Sequence, residues 1–508
     1  MTATIPEQLR TFHITGHGMD ESVPALSVEG VTNAHALPSL EATYPIRLAS
    51  GLLVPFNAEA AITLPIAALL ETRAPLHAAF IETVRRTAER LEDLLALDTS
   101  HADDAVSPAT LTNALGAGGQ YLNTAGLTAA LRRRTTSVHR MTPERRDRCS
   151  HALLALLQAL AVVPPPFALF HTSPVPNPFN GQLHHSADPC SAAVDHARSQ
   201  LTAMQSTLRA LRLARLELDD AYDPAHHDAI LERFRWEAAD PAEVAAQPPV
   251  IAVLSADEAA ALPLQSLSRA LHSGCPILII VTKPALTAAD IKSTSPDLAQ
   301  IALAHRDAYV LQASLGHPAH LQSALAALTQ CVRPALAVIA VPSAGGWPEA
   351  VLLPLAKAFA LFSYNPARGP AWRDSLDLFP IEPNPWTAAH AAACNASFRY
   401  HFRMLPAEAD EHDPIELGKY LEQFRNQPPL AVPFLAIAED AKVAVSRDLA
   451  EFCHDRLQAY QLLEQALQKP QPPSEPMPAS REATELAMRQ GAEIAVARVV
   501  ALLTGTQS

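Results

Sequence analysis

Residues 249–283 read PVIAVLSADEAAALPLQSLSRALHSGCPILIIVTK, and this stretch decides the class of fold. Val250–Leu254 and Ile277–Thr282 are unbroken apolar runs, short and rich in β-branched residues, as strands buried on both faces require. Between them, Asp257–Leu271 has its apolar residues at helical spacing. The alternation then repeats: helix at Asp297–His305, strand at Ala308–Ala313, helix at His320–Thr329, strand at Ala335–Val341, helix at Glu349–Phe362. Strands and helices in strict alternation build a parallel sheet covered on both faces. The expected class is therefore α/β, a parallel sheet with helices on both faces, plus a mostly helical N-terminal region and a small α+β C-terminal extension.

Upstream, Asn57–Leu97 and a segment at about Ser191–Leu218 both read as long helices. The most apolar run, Ala152–Phe170, is interrupted by Gln158 and by Pro164, Pro165 and Pro166, so it falls short of the ~20 residues a membrane span needs. Downstream of Pro385, Phe434–Ala438 and Lys442–Val445 read as a hairpin, and Ser446 caps a helix running to about Lys469. Pro470–Pro478 is a proline-rich linker. A last helix, Arg481–Leu503, places Leu486, Ile494, Val496, Val499 and Leu503 on one side, a face suited to docking on the chain's own core or on a partner. The expected organisation is 1–165 helical, 166–390 the α/β domain, 391–469 the extension, 470–480 the linker and 481–508 the terminal helix.

Composition narrows the chemistry. The 508 residues carry 38 Lys+Arg against 52 Asp+Glu, a net charge of −14, which argues against nucleic-acid binding. There are 17 glycines, where average usage of ~7% would give roughly 36, so phosphate-cradling loops have little material. The six cysteines are far apart with no C-x-x-C, which reads as reduced thiols rather than a disulfide framework or a metal site. The opening MTATIPEQLRTFHITGHGMD has no signal-peptide pattern, and the expected location is cytoplasmic, with no membrane attachment.

In an open parallel sheet, ligands bind beyond the carboxyl ends of the strands. Those ends are Ser255–Glu258, Thr282–Pro284, Ser314–His317 and Pro342–Gly346. Asp257 suits a magnesium ligand or, more simply, a helix N-cap beside Ser255. Ser343 has no G-x-S-x-G surroundings and reads as a turn residue rather than a nucleophile. His184, His185, Asp188, Cys190, Asp195 and His196 form the densest ligand-type cluster, but their spacing matches no zinc template, and His226-His227-Asp228 is weaker still. Leu115–Gln120 (LGAGGQ) reads as a turn. Arg132, Arg133, Arg134, Arg145, Arg146 and Arg148 read as a solvated or docking face, with an anion site as the alternative.

Several segments in order carry a resemblance. DAYVLQASLGHPAHLQSALAAL (307–328) has the pattern of a strand, a glycine and a long helix, and PALAVIAVPS (334–343) follows as the next strand. Phe359–Pro366 (FALFSYNP) and Leu376–Pro383 (LDLFPIEP) come after it. Together, over roughly Val250–Pro385, they resemble the thiamine-diphosphate domain of pyruvate:ferredoxin oxidoreductase and related 2-oxoacid oxidoreductases. FRYHFRMLP (398–406) and the hairpin are similar to extensions of long fused members. A weaker likeness, Pro55–Glu59 with Pro75–Phe80, points to the family's ferredoxin-like insert, whose cluster cysteines would fall near Ala61, Leu64 and Ala67.

The departures lie at the chemistry. Of the family's Gly-Asp-Gly only Asp257 is kept, its metal and diphosphate loop is replaced by Thr282–Asp290, Pro284 lacks a backbone donor, and Ser343 stands at a cluster cysteine position. The resemblance therefore implies a degenerate, auxiliary subunit without catalytic residues, thiamine diphosphate, magnesium or iron–sulfur ligands. Such a subunit would sit beside a competent 2-oxoacid oxidoreductase subunit, a paralogue or a second copy of itself. The alternative is an active enzyme of pyruvate synthase type that uses Asp257 and Thr282 for magnesium and thiamine diphosphate and borrows a partner's clusters. A third reading keeps the fold for some other small molecule or protein.

Overall fold

A computed structural model of the chain describes residues 26–27, 45–47, 53–55, 57–100, 107–135, 141–292, 297–343, 346–405, 414–424, 430–438 and 441–467. The linker and terminal helix expected at 470–503 lie outside them. The molecule is built on an eight-stranded, mostly parallel sheet. Its strands are β1 (Ala168–His171), β2 (Gln182–His185), β3 (Val250–Ser255), β4 (Ile277–Pro284), β5 (Tyr309–Ser314), β6 (Ala335–Val341), β7 (Phe362–Tyr364) and β8 (Leu376–Leu378). Across the sheet they run β2-β1-β3-β4-β6-β5-β7-β8. The first six are parallel, β7 is antiparallel to β5, and β8 is antiparallel to β7.

Pro249, Pro276 and Pro334 stand immediately before β3, β4 and β6. A proline at a strand entry sets an extended backbone without removing a donor from the middle of the ladder. Alternate residues then point to opposite faces. Val250, Ala252, Leu254, Ile277, Ile279 and Val281 face one core, and Ile251, Val253, Leu278 and Ile280 the other. All ten are buried. Each fully buried Ile or Leu is worth roughly 1.5–3 kcal/mol over its exposed state, so the sheet is held from both sides.

Helices α1 (Ala60–Ser100), α2 (Pro143–Ala161) and α3 (Pro189–Leu218) cover the sheet. Asp188 caps α3, accepting from Ser191 N at 3.0 Å, and Thr142 caps α2. The first half of α1 (Ala60–Leu69) packs on one face of the sheet, whereas Val84, Ala88 and Leu91 belong to the core of the other. The helix therefore passes beneath the starts of the strands. Ala61, Leu64 and Ala67 lie on its buried side, within a single helix rather than in loops that could surround a cluster.

A third core joins the sheet to the C-terminal extension. Strands β9 (Phe402–Met404), β10 (Ile415–Glu416), β11 (Pro433–Ala438) and β12 (Ala441–Val445) form a four-stranded sheet in which β11 and β12 pair as the expected hairpin. Ser446 accepts from Leu449 N at 3.3 Å and starts the helix Arg447–Leu467. Three short strands, Leu26–Ser27, Pro45–Arg47 and Leu53–Pro55, make a separate small sheet.

Three readings change. Asp257–Leu271 is two helices, Ala256–Ala261 and Leu264–Leu271, because Pro263 interrupts the ladder. Glu349–Phe362 is a helix, Trp347–Leu355, followed by strand β7; Lys357, with φ 57°, turns the chain out of the helix. Strands β1 and β2 enlarge the sheet beyond the four strands read from Val250 onward. The two edge strands hold the FALFSYNP and LDLFPIEP segments, paired Phe362 to Leu378 and Tyr364 to Leu376.

Candidate functional site

The carboxyl ends of β3, β4, β5 and β6 lie level, with Ser255 opposite Thr282 and Thr282 opposite Ile339. Beside them, under the helix Arg447–Leu467, is a narrow cavity of about 50 Å³ lined by Lys283, Asp290, Gln312, Lys357, Arg456 and Tyr460 among others. Ligand pockets usually run to about 300–1,000 Å³.

At the end of β3, the helix cap is Ser255 rather than Asp257. Ser255 Oγ accepts from Glu258 N at 3.2 Å, and Ser255 N donates to Glu258 Oε2 at 2.7 Å, which closes a reciprocal capping box. Ser173 donates to the other Glu258 oxygen. Burial opposes ionisation of Glu258, but these hydrogen bonds outweigh it and hold the carboxyl below its usual range. Asp257 lies in the first turn of the helix, exposed, where a carboxylate favours the helix dipole.

At the end of β4, Thr282 is half-buried and Lys283 is committed. Its Nζ lies 2.9 Å from Asp290 Oδ1, with the two side chains 18% and 10% exposed. Asp290 Oδ2 accepts from Thr287 N and Thr287 Oγ1, each at 2.8 Å. The segment after β4 thus folds back as a capped helical turn, Ala288–Ile291, and its carboxylate takes the nearby lysine. The other two cations are also paired: Arg456 with Asp297 at 3.6 Å, and Lys357 with Glu464 at 3.3 Å, over the Tyr460 ring.

At the ends of β5 and β6 the backbone is packed closely. A Cβ on Gly316 would lie 2.6 Å from Ala350 O, so only glycine allows helix Trp347–Leu355 to approach. Ser314 Oγ donates to Ala350 O at 2.7 Å and accepts from Gly316 N at 3.1 Å. Gly346 N donates to Ser343 O at 2.9 Å, and Gly346 has φ 72°. The Ser343 hydroxyl donates to the buried Glu349, which also accepts from Asn395 Nδ2 at 3.3 Å.

Thiamine diphosphate requires a metal anchored by side chains, and backbone room for two phosphates. The residues present do not fit it. Asp257 stands on the outside of a helical turn, Lys283 is bound to Asp290, Pro284 has no N–H to give, and the cavity is too small.

The remaining candidates are dispersed. His184 stacks on Phe170 at 4.7 Å and lies 5.7 Å from the His196 ring, while His185 faces His171 on the other side of the strand. Asp188 is the cap of α3, Cys190 is buried and pushed up to about 12 by desolvation, and Asp195 is exposed. Among the described residues, no group of three His, Cys, Asp or Glu side chains is placed to hold a metal ion. Near His226 and His227, Tyr222 donates to Asp228 and His227 lies against Asp223, a local turn. All six cysteines are free. Leu115–Gln120 spans the start of a short 3-10 turn, Gly116–Tyr121.

The arginines of α2 form an internal clasp. Arg145 and Arg148 hold the buried Glu217 at 3.0 and 2.6 Å, and Arg146 pairs with Asp98. The side chains of Arg132–Arg134 lie outside the described residues. A crevice of about 530 Å³ with mostly apolar walls lies by the opposite edge of the sheet between α1, α2 and α3. Among the described residues no helix is long and apolar enough to cross a membrane.

No family model matches the chain, and no curated protein matches it. Sequence reading passed over Asp290, Lys357, Glu349 and Arg456. Only Asp290 left a trace, as the third residue after Thr287 in a capping-box pattern.

Proposed function

We propose that the chain is a non-catalytic, auxiliary relative of the thiamine-diphosphate domain of 2-oxoacid:ferredoxin oxidoreductases. In this reading it retains the framework and works as a protein subunit in a redox complex, beside a competent 2-oxoacid oxidoreductase subunit or paralogue. The supporting observation is the Lys283–Asp290 pair: the cation at the strand end is neutralised by a carboxylate from the very segment that should have cradled a diphosphate. Helices on both faces of a parallel sheet, level strand ends and the paired FALFSYNP and LDLFPIEP strands agree with that framework. Fold alone does not carry function, so the weight rests on the site.

Purification of the tagged full chain with its bound proteins tests the reading. A stoichiometric 2-oxoacid oxidoreductase subunit in the complex is the expected result. A chain that purifies alone, and that reduces a ferredoxin-type acceptor with a 2-oxoacid once thiamine diphosphate and magnesium are added, would overturn it.

A further inference from the structure

At the opposite edge of the sheet, where the strands begin, α1 carries an arginine into the interior. Arg73 is 6% exposed, and among the described residues no carboxylate pairs with it. Among the described residues its guanidinium donates to Cys331 O, at 2.8 Å from a terminal nitrogen, just after the helix Pro318–Thr329. That carbonyl lies at the negative end of a helix and takes part of the charge. The buried Arg73 Nε has no hydrogen-bond partner among the described residues. Burial brings the guanidinium down to about 10, which still leaves it charged at neutral pH. A buried charge normally keeps a counter-charge, because an uncompensated one is costly.

Arg73 borders a cavity of about 10 Å³, room for roughly one water-sized occupant. Its other walls include the apolar strand starts Val250, Ile277 and Ala335, with Leu69 and Leu328. A second cation, Arg333, stands at this cavity, half-exposed and in only a long contact of 3.5 Å with the exposed Asp307. Cys331 also lines it, its thiol kept in the neutral form by burial, and among the described residues the lining holds no carboxylate. A positive charge, an unused N–H donor, a second guanidinium and an apolar wall with space for a single atom are complementary to a weakly hydrated monovalent ion.

We propose that Arg73 and Arg333 form a binding site for one small monovalent anion of halide size, held where α1 passes beneath the starts of β3, β4 and β6. The site is independent of the strand-end chemistry and owes nothing to the proposed function. Its occupant neutralises a cation that joins α1 to the sheet, so stability depends on the anion supplied.

The test uses the full chain and chloride or bromide as probe. Chloride-35 line broadening is measured with increasing protein, followed by competition with bromide, and melting temperature is measured as chloride replaces gluconate at constant ionic strength. Expected are a saturable excess line width displaced by bromide, a rise of several degrees in melting temperature, and loss of both in Arg73→Met. Should Arg73→Met fail to fold, a bromide-soaked crystal of the unaltered chain decides: an anomalous peak within hydrogen-bond distance of Arg73 Nε supports the site. A water or an empty cavity there, or line width and melting temperature indifferent to halide, would overturn it.

Discussion

Lys283 Nζ lies 2.9 Å from Asp290 Oδ1, and both side chains are largely buried at the edge of the sheet where ligands of parallel α/β folds bind. The pair is the centre of a small network, since Asp290 also closes the Thr287 capping box. One carboxylate thus orders the segment after β4 and neutralises the lysine at its strand end.

Removing that carboxylate has two expected consequences. Asp290→Asn leaves Lys283 uncompensated and costs about 1–3 kcal/mol, read as a shift of the urea midpoint at unchanged slope. It also frees a cation, so inorganic diphosphate should raise the melting temperature of the variant and not that of the original chain. Equal responses in both would disprove the role given to Asp290.

Glu217 is 1% exposed between Arg145 and Arg148, and breaking a buried pair by deleting one member is strongly unfavourable. Glu217→Ala should lose about 3–5 kcal/mol in equilibrium denaturation. If the arginines instead formed an anion site, the variant would stay stable and its binding of sulfate would simply change.

Gly316 leaves no room for a side chain beside Ala350 O. Gly316→Ala is expected to destabilise by about 1–3 kcal/mol through overpacking, seen as a lowered melting temperature. A neutral substitution would show that β5 and helix Trp347–Leu355 approach less closely.

His320 is buried with Nδ1 unpartnered, near His317 and Phe379, and desolvation followed by the His317 charge brings it from 6.5 down to about 4. Above 6.5 both states are neutral and its share of stability is complete. As pH falls through 6.5 the unfolded chain takes up a proton first, and stability drops until about pH 4, at most about 1.4 kcal/mol per pH unit. His196, His305, His390 and His454 are also held low by burial and act in the same direction. His320→Leu should therefore lose less stability between pH 6.5 and 4 than the original chain, in urea midpoints measured side by side.

The sheet was legible because its strands are buried on both faces: VIAVL, ILIIVT and ALAVIAV have no polar alternation to confuse with a helix. The strands Ala168–His171 and Gln182–His185 were not, since four residues between prolines and loops carry too little periodicity, and their place beside β3 comes from long-range pairing. At the site, the missing glycines and Pro284 could be read directly. Which carboxylate met Lys283 could not, nor could Lys357 and Arg456 be assigned to the same cavity, because loops and a helix far apart in the chain converge there. Arg73 follows Glu71 in an otherwise apolar helical run, and only the structure shows that its side chain is buried without an ion-pair partner among the described residues.

The central claim is that the strand ends do not grip an anionic coenzyme. Isothermal titration of magnesium and thiamine diphosphate into the full chain tests it most directly. The account predicts no saturable heat up to millimolar coenzyme. One-to-one binding in the micromolar range would contradict it.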